Sequence, residues 1–410
     1  MGRWGAFVGT FAALALAPAS LAAPPLTVGY MSPAALTGLH IVVEVAPLHI
    51  AEVDGTTPGA LRKRPGIRWV QTTEARHHLG TASPATQTVA NAEWEFAATR
   101  SNLVPGNVLR AAENITIAVV DTGADLTAPA IAAKDPITYN AVTNTPTVSD
   151  STGHGTFVAS VAGGSDIVGS ELRGFAGDAK LMIVQANADA NTFDDVDEAA
   201  GIVWAVDHGA NIINLSIGGA DTSQVEKDAV DYAVAHNVLL VAAAGNTGTS
   251  GNVLSYPAAL VGSDGLAVAA TTSRGTRAPF STVASYVSIA APGVHVLGAT
   301  TAAASRADYP RATLPSAQGS YAFGTGTSYA SPQVAGAAAL VWAAEPALTA
   351  PQVAALIERT ASGNGSWNSA TGYGVLDVVA AVDRALGVPA PSQTRSIAAP
   401  RPRNRSSIRS

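Results

Sequence analysis

Ile115-Thr116-Ile117-Ala118-Val119-Val120 runs directly into Asp121-Thr122-Gly123, and this stretch decides the fold class. An almost unbroken run of β-branched and apolar side chains, without polar alternation, describes a strand buried on both faces, as in a parallel sheet. Leu181–Val184, Ile212–Leu215, Val238–Ala242 and Leu266–Ala269 repeat the signature. Between them, Ala199, Ile202, Val203 and Val206 recur at helical spacing behind Thr192, which reads as an N-cap, and Val225–Ala235 reads as a second helix. The acids Asp194, Asp195, Asp197 and Glu198 fall in the first turns, where they complement the helix dipole; that is a simpler role than a metal cluster. Strand–helix–strand alternation with short connections predicts an α/β fold, a three-layer, doubly wound, mostly parallel sheet with helices on both faces. Ligands of such sheets bind beyond the carboxyl ends of the strands.

The 410 residues suffice for two or three units at about 150 residues each. Hydrophobic residues make up 47% and charged residues 13%, against the ~25% usual for charge, which excludes a largely disordered polymer. A net charge of −7 speaks against a nucleic-acid partner. The absence of cysteine excludes disulfides, thiolate nucleophiles and cysteine-built zinc sites.

Arg3, the apolar run Gly5–Pro18 and the small residues Ala19–Ala23 have the layout of a secretory signal peptide over 1–22, cleaved after Ala22. The run of about 14 residues is shorter than the ~20 that span a bilayer, which argues against a membrane anchor. Residues 23–91 are expected to form a short pro-segment and linker. Within them Ile41–Val45 and Gly66–Gln71 read as strands, Pro58–Gly59 as a turn, and Thr72–Asn91 shows no periodicity. Residues 386–410 hold five arginines and no acid, and are expected to be a solvated, disordered basic tail.

Three segments place polar residues where strands should end. Asp121 directly follows the first strand. His154 lies between Gly153 and Gly155 at the entry of a helix-like stretch, Phe157–Ala162, where glycines leave the imidazole edge open. The other seven histidines lack such flanks and read as surface or packing residues. Gly324-Thr325-Gly326-Thr327-Ser328 opens the small-residue helix Val334–Ala344 and lacks the lysine of a phosphate-binding loop. A serine at a helix N-terminus sits in a field that stabilises developing negative charge. Aspartate, histidine and serine at strand-to-helix junctions make a nucleophilic triad, in which imidazole takes the hydroxyl proton and carboxylate orients the imidazole.

With these residues in place, the chain resembles the subtilisin-like serine endopeptidases over roughly 94–385. The signature blocks are Val119–Gly123, His154–Gly164 and Gly326–Gly336, joined by Ile213–Gly219, Ala242–Asn246, Ser255–Ala258 and Ala290–Gly293. The resemblance implies a peptidase domain over 92–385, with Asp121 as orienter, His154 as general base and acid, Ser328 as nucleophile and Asn246 as oxyanion donor. It also implies that Ser216, Ile217 and Gly218 pair with an extended substrate, and that Ala243, Ala244 and Gly245 wall the primary specificity pocket, tolerating large uncharged side chains. The protein so described is secreted, monomeric and cofactor-free, and acts on protein or peptide substrates. The alternatives are a peptide ligase or cyclase on the same scaffold and a catalytically silent peptide-binding module, which would normally lack one of the four catalytic groups.

Some positions depart from the family pattern. Phe157, Tyr329 and Gln333 replace more usual residues without removing a catalytic group. Ala128-Pro129-Ala130 stands where relatives commonly carry His-Pro-Asp, and alanine cannot supply the calcium-binding carboxylate, so no metal is expected there. Leu61–Gln71 is similar to the last helix and strand of an inhibitory pro-domain.

Overall fold

The computed structural model describes residues 24–82, 93–166, 173–187, 192–312 and 319–388. The expected signal peptide at 1–22 and all but the first residues of the expected tail lie outside them. Two compact units are present, one of residues 24–44 and 49–73, the other of 45–48 and 74 onward.

The smaller unit is a four-stranded sheet in the order His40–Val45, Ile50–Asp54, Leu26–Tyr30, Ile67–Thr72, with the central Leu26–Tyr30 antiparallel to both neighbours. Leu26, Val28, Tyr30, Leu36, Val53 and Leu61 form its core. Pro58-Gly59 opens a short helix, Pro58–Arg62, rather than a turn. Proline at the first helical position costs no hydrogen bond, and Thr57 accepts from the Ala60 N–H as the cap.

In the larger unit seven parallel strands run in the order Ile289–Pro292, Leu266–Thr271, Leu239–Ala243, Ile212–Leu215, Thr116–Asp121, Lys180–Gln185, Ile137–Asn140. Alternate residues face opposite layers. Ile117, Val119, Ile183, Val241 and Val268 join the core beneath His154–Gly163 and Thr327–Ala344. Val120 and Val184 face Gly201 of the helix Asp195–Asp207, so helices cover both faces as expected.

Two further local expectations fail. Thr192 does not cap the helix, because Phe193–Asp194 stays extended to pair with Arg76 and Ala75, and Asp194 takes the N-cap position. The stretch expected as linker from Thr72 carries strands at Ala75–His78 and Thr81–Ala82. Their partners are supplied by distant segments; residues 83–91 lie outside the description.

Ala130 is fully buried beside Leu297, Ala299, Tyr321 and Phe323. A carboxylate there would be desolvated among apolar groups. Ala130→Asp is therefore expected to cost about 3 kcal/mol or more, seen as a fall in Tm that calcium does not reverse. The parent protein should show the same Tm in calcium and in excess chelator. A calcium-dependent rise in the variant would contradict the first expectation, and a calcium-dependent rise in the parent the second.

Candidate active site

Asp121 ends the strand Thr116–Asp121, and His154 opens the helix His154–Gly163; both are fully buried. His154 Nδ1 stands 2.7 Å from Asp121 Oδ1, which also accepts the Thr122 N–H at 2.7 Å. A carboxylate only accepts, so Nδ1 carries the proton and Nε2 is left as the basic nitrogen. That Nε2 makes no hydrogen bond among the described residues.

The imidazole is held from behind. Asp150 Oδ1 accepts the Gly153 N–H at 2.8 Å, and its Oδ2 accepts the Thr156 N–H at 2.9 Å and the Thr156 hydroxyl at 2.6 Å. These bonds satisfy the first turn of the histidine's helix. An acid four residues before a helix-opening histidine was the available sequence signal, and it went unread.

Ser328 is the second residue of the helix Thr327–Ala344. Its carbonyl would ordinarily accept from residue 332, but Pro332 has no N–H. Ser216 Oγ donates to that carbonyl instead, at 2.8 Å. Asn214 Nδ2 donates to Ser216 Oγ at 2.9 Å, while Asn214 Oδ1 accepts from Ser331 Oγ at 2.7 Å. A buried relay thus ties the sheet to the start of the helix. Its marker in the sequence is the lone polar residue in Ile212-Ile213-Asn214-Leu215. The Ser328 hydroxyl donates to the Ser216 carbonyl at 2.8 Å and not to His154 Nε2.

The chain's own residues 75–82 cross this site. Ala75–His78 is the middle strand between Phe193–Asp194 and Ile217–Gly218, antiparallel to both, with His78 opposite Ile217 and His77 opposite Gly218. The Leu79 N–H donates to the Ser216 carbonyl at 3.1 Å. The Leu79 carbonyl accepts from Asn246 Nδ2 at 2.6 Å and from the Ser328 N–H at 3.2 Å. Beyond it, Thr81–Ala82 pairs antiparallel with Ser320–Thr325.

Asn246 is oriented for this task. Its Oδ1 accepts both the Thr327 N–H at 3.1 Å and the Thr327 hydroxyl at 3.0 Å, leaving Nδ2 to face Leu79. Gly326 gives the room, since a Cβ there would overlap the Leu79 carbonyl oxygen and approach the Gly80 Cα. Ser216, Ile217 and Gly218 therefore lie against residues 77–79, and a Cβ on Gly218 would be 2.9 Å from Leu79 Cδ1. Ala243 and Ala244 are fully buried at the end of the strand Leu239–Ala243, and the Gly245 N–H donates to Thr327 Oγ1.

Two further contacts at the site are not legible in the sequence. The His78 ring stacks on His154 with centroids 4.7 Å apart. Tyr329, buried and 3.0 Å from the Tyr309 hydroxyl, walls the far side of Leu79–Gly80; a Cβ on Gly80 would lie 2.7 Å from its ring. Phe157 fills the space behind Tyr329, ring centroids 4.4 Å apart, and Gln333 Nε2 donates to the Tyr329 carbonyl at 2.8 Å. Among the described residues, no group of three or more His, Cys, Asp or Glu side chains is placed to hold a metal ion.

Over residues 112–374 the sequence matches the model of the subtilase family. Subtilisin DY of Bacillus licheniformis is 37% identical over 237 residues, which are 57% of this chain and 78% of that protein. Subtilisin NAT of Bacillus subtilis subsp. natto is 31% identical over 336 residues, 81% of this chain and 79% of the relative. The crystal structure of fervidolysin from Fervidobacterium pennivorans, described as a keratinolytic enzyme related to subtilisin, has a TM-score of 0.76 at 28% identity, covering 90% of this chain and 62% of that one.

If the Asn246 amide binds a developing oxyanion, Asn246→Ala should lower kcat by about 10²–10³ with little change in KM, the usual loss on removing one such donor. Thr327→Val removes one of the two bonds that orient the amide and is expected to cost up to about tenfold in kcat. Steady-state kinetics on a quenched peptide check both; an unchanged kcat in Asn246→Ala would remove the amide from the reaction.

Proposed function

The chain belongs to the subtilase family of serine endopeptidases, and we propose that Asp121, His154 and Ser328 carry its acyl transfer, first on its own Leu79–Gly80 bond. The observation that carries this reading is the Leu79 carbonyl, held between Asn246 Nδ2 and the Ser328 N–H. These donors sit where an oxyanion would form, and they add to the positive end of an 18-residue helix.

Rotation of the Ser328 hydroxyl from the Ser216 carbonyl to His154 Nε2 starts the reaction. His154 takes the proton as Oγ bonds to the Leu79 carbonyl carbon, and Asp121 stabilises the imidazolium. The imidazolium then protonates the Gly80 nitrogen, the peptide bond breaks, and Leu79 remains as an acyl ester on Ser328. Water, deprotonated by His154, releases the Leu79 carboxylate and restores the serine. The same cycle then serves other extended peptides, which take the place of residues 75–82 between Phe193–Asp194 and Ile217–Gly218. Residues preceding Gly80 are on this reading the pro-segment. Export rests on residues 1–22, through the charged start, apolar run and small-residue end described above.

The wild-type chain should yield a protein with Gly80 as its N-terminus, while Ser328→Ala should keep residues 79 and 80 joined and resist a fluorophosphonate probe. Intact-mass measurement and N-terminal sequencing read both. Adding His154→Ala to Ser328→Ala should cost little further activity, because triad members act as a unit. A Ser328→Ala chain cut after Leu79 at the wild-type rate would sink the assignment.

A further inference from the structure

Arg76, the fourth residue upstream of the Leu79–Gly80 bond, is fully buried. Its Nε donates to Glu226 Oε1 at 2.9 Å and lies 3.6 Å from Glu198 Oε2. An arginine enters a protein interior only when its charge is met. The acids come from two adjoining helices. Asp195 and Glu198, three residues apart and so on one face, belong to Asp195–Asp207, and Glu226 lies in the first turn of Gln224–Ala235. All three attract the Arg76 charge.

Part of the pocket is held by bonds that do not involve Arg76. Glu226 is fixed by the Thr222 hydroxyl, which donates to Oε2 at 3.2 Å, and its N–H donates to Ser223 Oγ at 3.1 Å. Gly219 leaves the entrance open, since a Cβ there would stand 3.0 Å from Arg76 Nη1 and 3.1 Å from Cδ. Glu198 is 1% exposed, and neither of its carboxylate oxygens makes a hydrogen bond among the described residues. Burial pushes the Glu198 carboxyl well above its usual range, the neighbouring Glu226 adding to the shift, and burial raises Glu226 and Asp195 as well. Three desolvated acids repel one another, and in this chain it is the Arg76 charge that offsets the repulsion. A cation arriving on a substrate removes the conflict.

We propose that Asp195, Glu198 and Glu226 form a specificity subsite that selects a basic side chain, arginine above lysine, at the fourth residue upstream of the cleaved bond. This rests on the endopeptidase reading, because the register is counted from Leu79–Gly80. Arginine leads because its planar, multi-donor head can meet Glu226 and Glu198 together, whereas lysine offers a single point charge. A neutral side chain would leave buried acids unpaired, which is the costlier fault.

The test uses the full-length protein as purified and a quenched octapeptide copying residues 75–82, alongside copies with lysine, leucine or glutamate in place of the arginine. The expected order of kcat/KM is arginine, lysine, leucine, glutamate, with arginine ahead of leucine by about 100-fold. Glu226→Gln should shrink that ratio at least about tenfold, with the cut still after leucine. Equal rates for the arginine and leucine peptides, both cut after leucine, would overturn the subsite and leave the endopeptidase reading standing. Hydrolysis of none of the peptides would defeat that reading and the subsite with it. The peptide series needs no protein variant, so a Glu226→Gln chain that fails to fold does not blunt it.

Discussion

The helix Thr327–Ala344 passes through the middle of the larger unit, buried from Thr327 to Trp342. It can do so because alanine, glycine, serine and valine dominate its sequence, letting the backbone approach the sheet closely. Everything at the site hangs on where this helix begins. Pro332 removes the bond that would close the first turn, and the freed Ser328 carbonyl is caught by Ser216 from the neighbouring strand end. One missing N–H therefore locks the helix start to the sheet, and with it the Ser328 N–H that faces the Leu79 carbonyl.

The sheet was legible because strands buried on both faces leave no freedom of composition. Thr116–Asp121, Lys180–Gln185 and Ile212–Leu215 lie within a residue or two of the apolar runs that announced them. Asp121, His154 and Ser328 were legible for a related reason: glycine stands near each of them, where the backbone must make room. Residues 75–82 were not. Ala75-Arg76-His77-His78 has no apolar alternation: Ala75 and His77 are exposed, Arg76 meets Glu226 and His78 stacks on His154. An extended segment of that kind is specified by its receptor rather than by itself.

The acids at 195–198 show the same limit from the other side. Their place in the first turn was read correctly, and the helix dipole does favour them there. What the dipole does not account for is burial. Asp195 is fully buried and Glu198 nearly so, and the partner that faces them lies more than a hundred residues earlier in the chain. Sequence spacing identifies residues that share a helix face, but it does not say what that face meets. Asn214 shows it again: a lone polar residue in an apolar strand, it ties that strand to the helix Thr327–Ala344 through Ser216 and Ser331.

The pairing of Thr81–Ala82 with Ser320–Thr325 bears on how a cut at Leu79 would end. The new amine of Gly80 would stay docked beside the acyl ester, confined by a short ladder of hydrogen bonds and by the Tyr329 ring. A tethered amine acts at a high effective concentration, so it competes with water for the ester and can restore the bond it came from. Cleavage and rejoining would then exchange within the folded protein. The step that would make such a cut permanent is the peeling of two residues from a strand edge, and its rate would be set by sheet geometry rather than by the chemistry of the acyl ester.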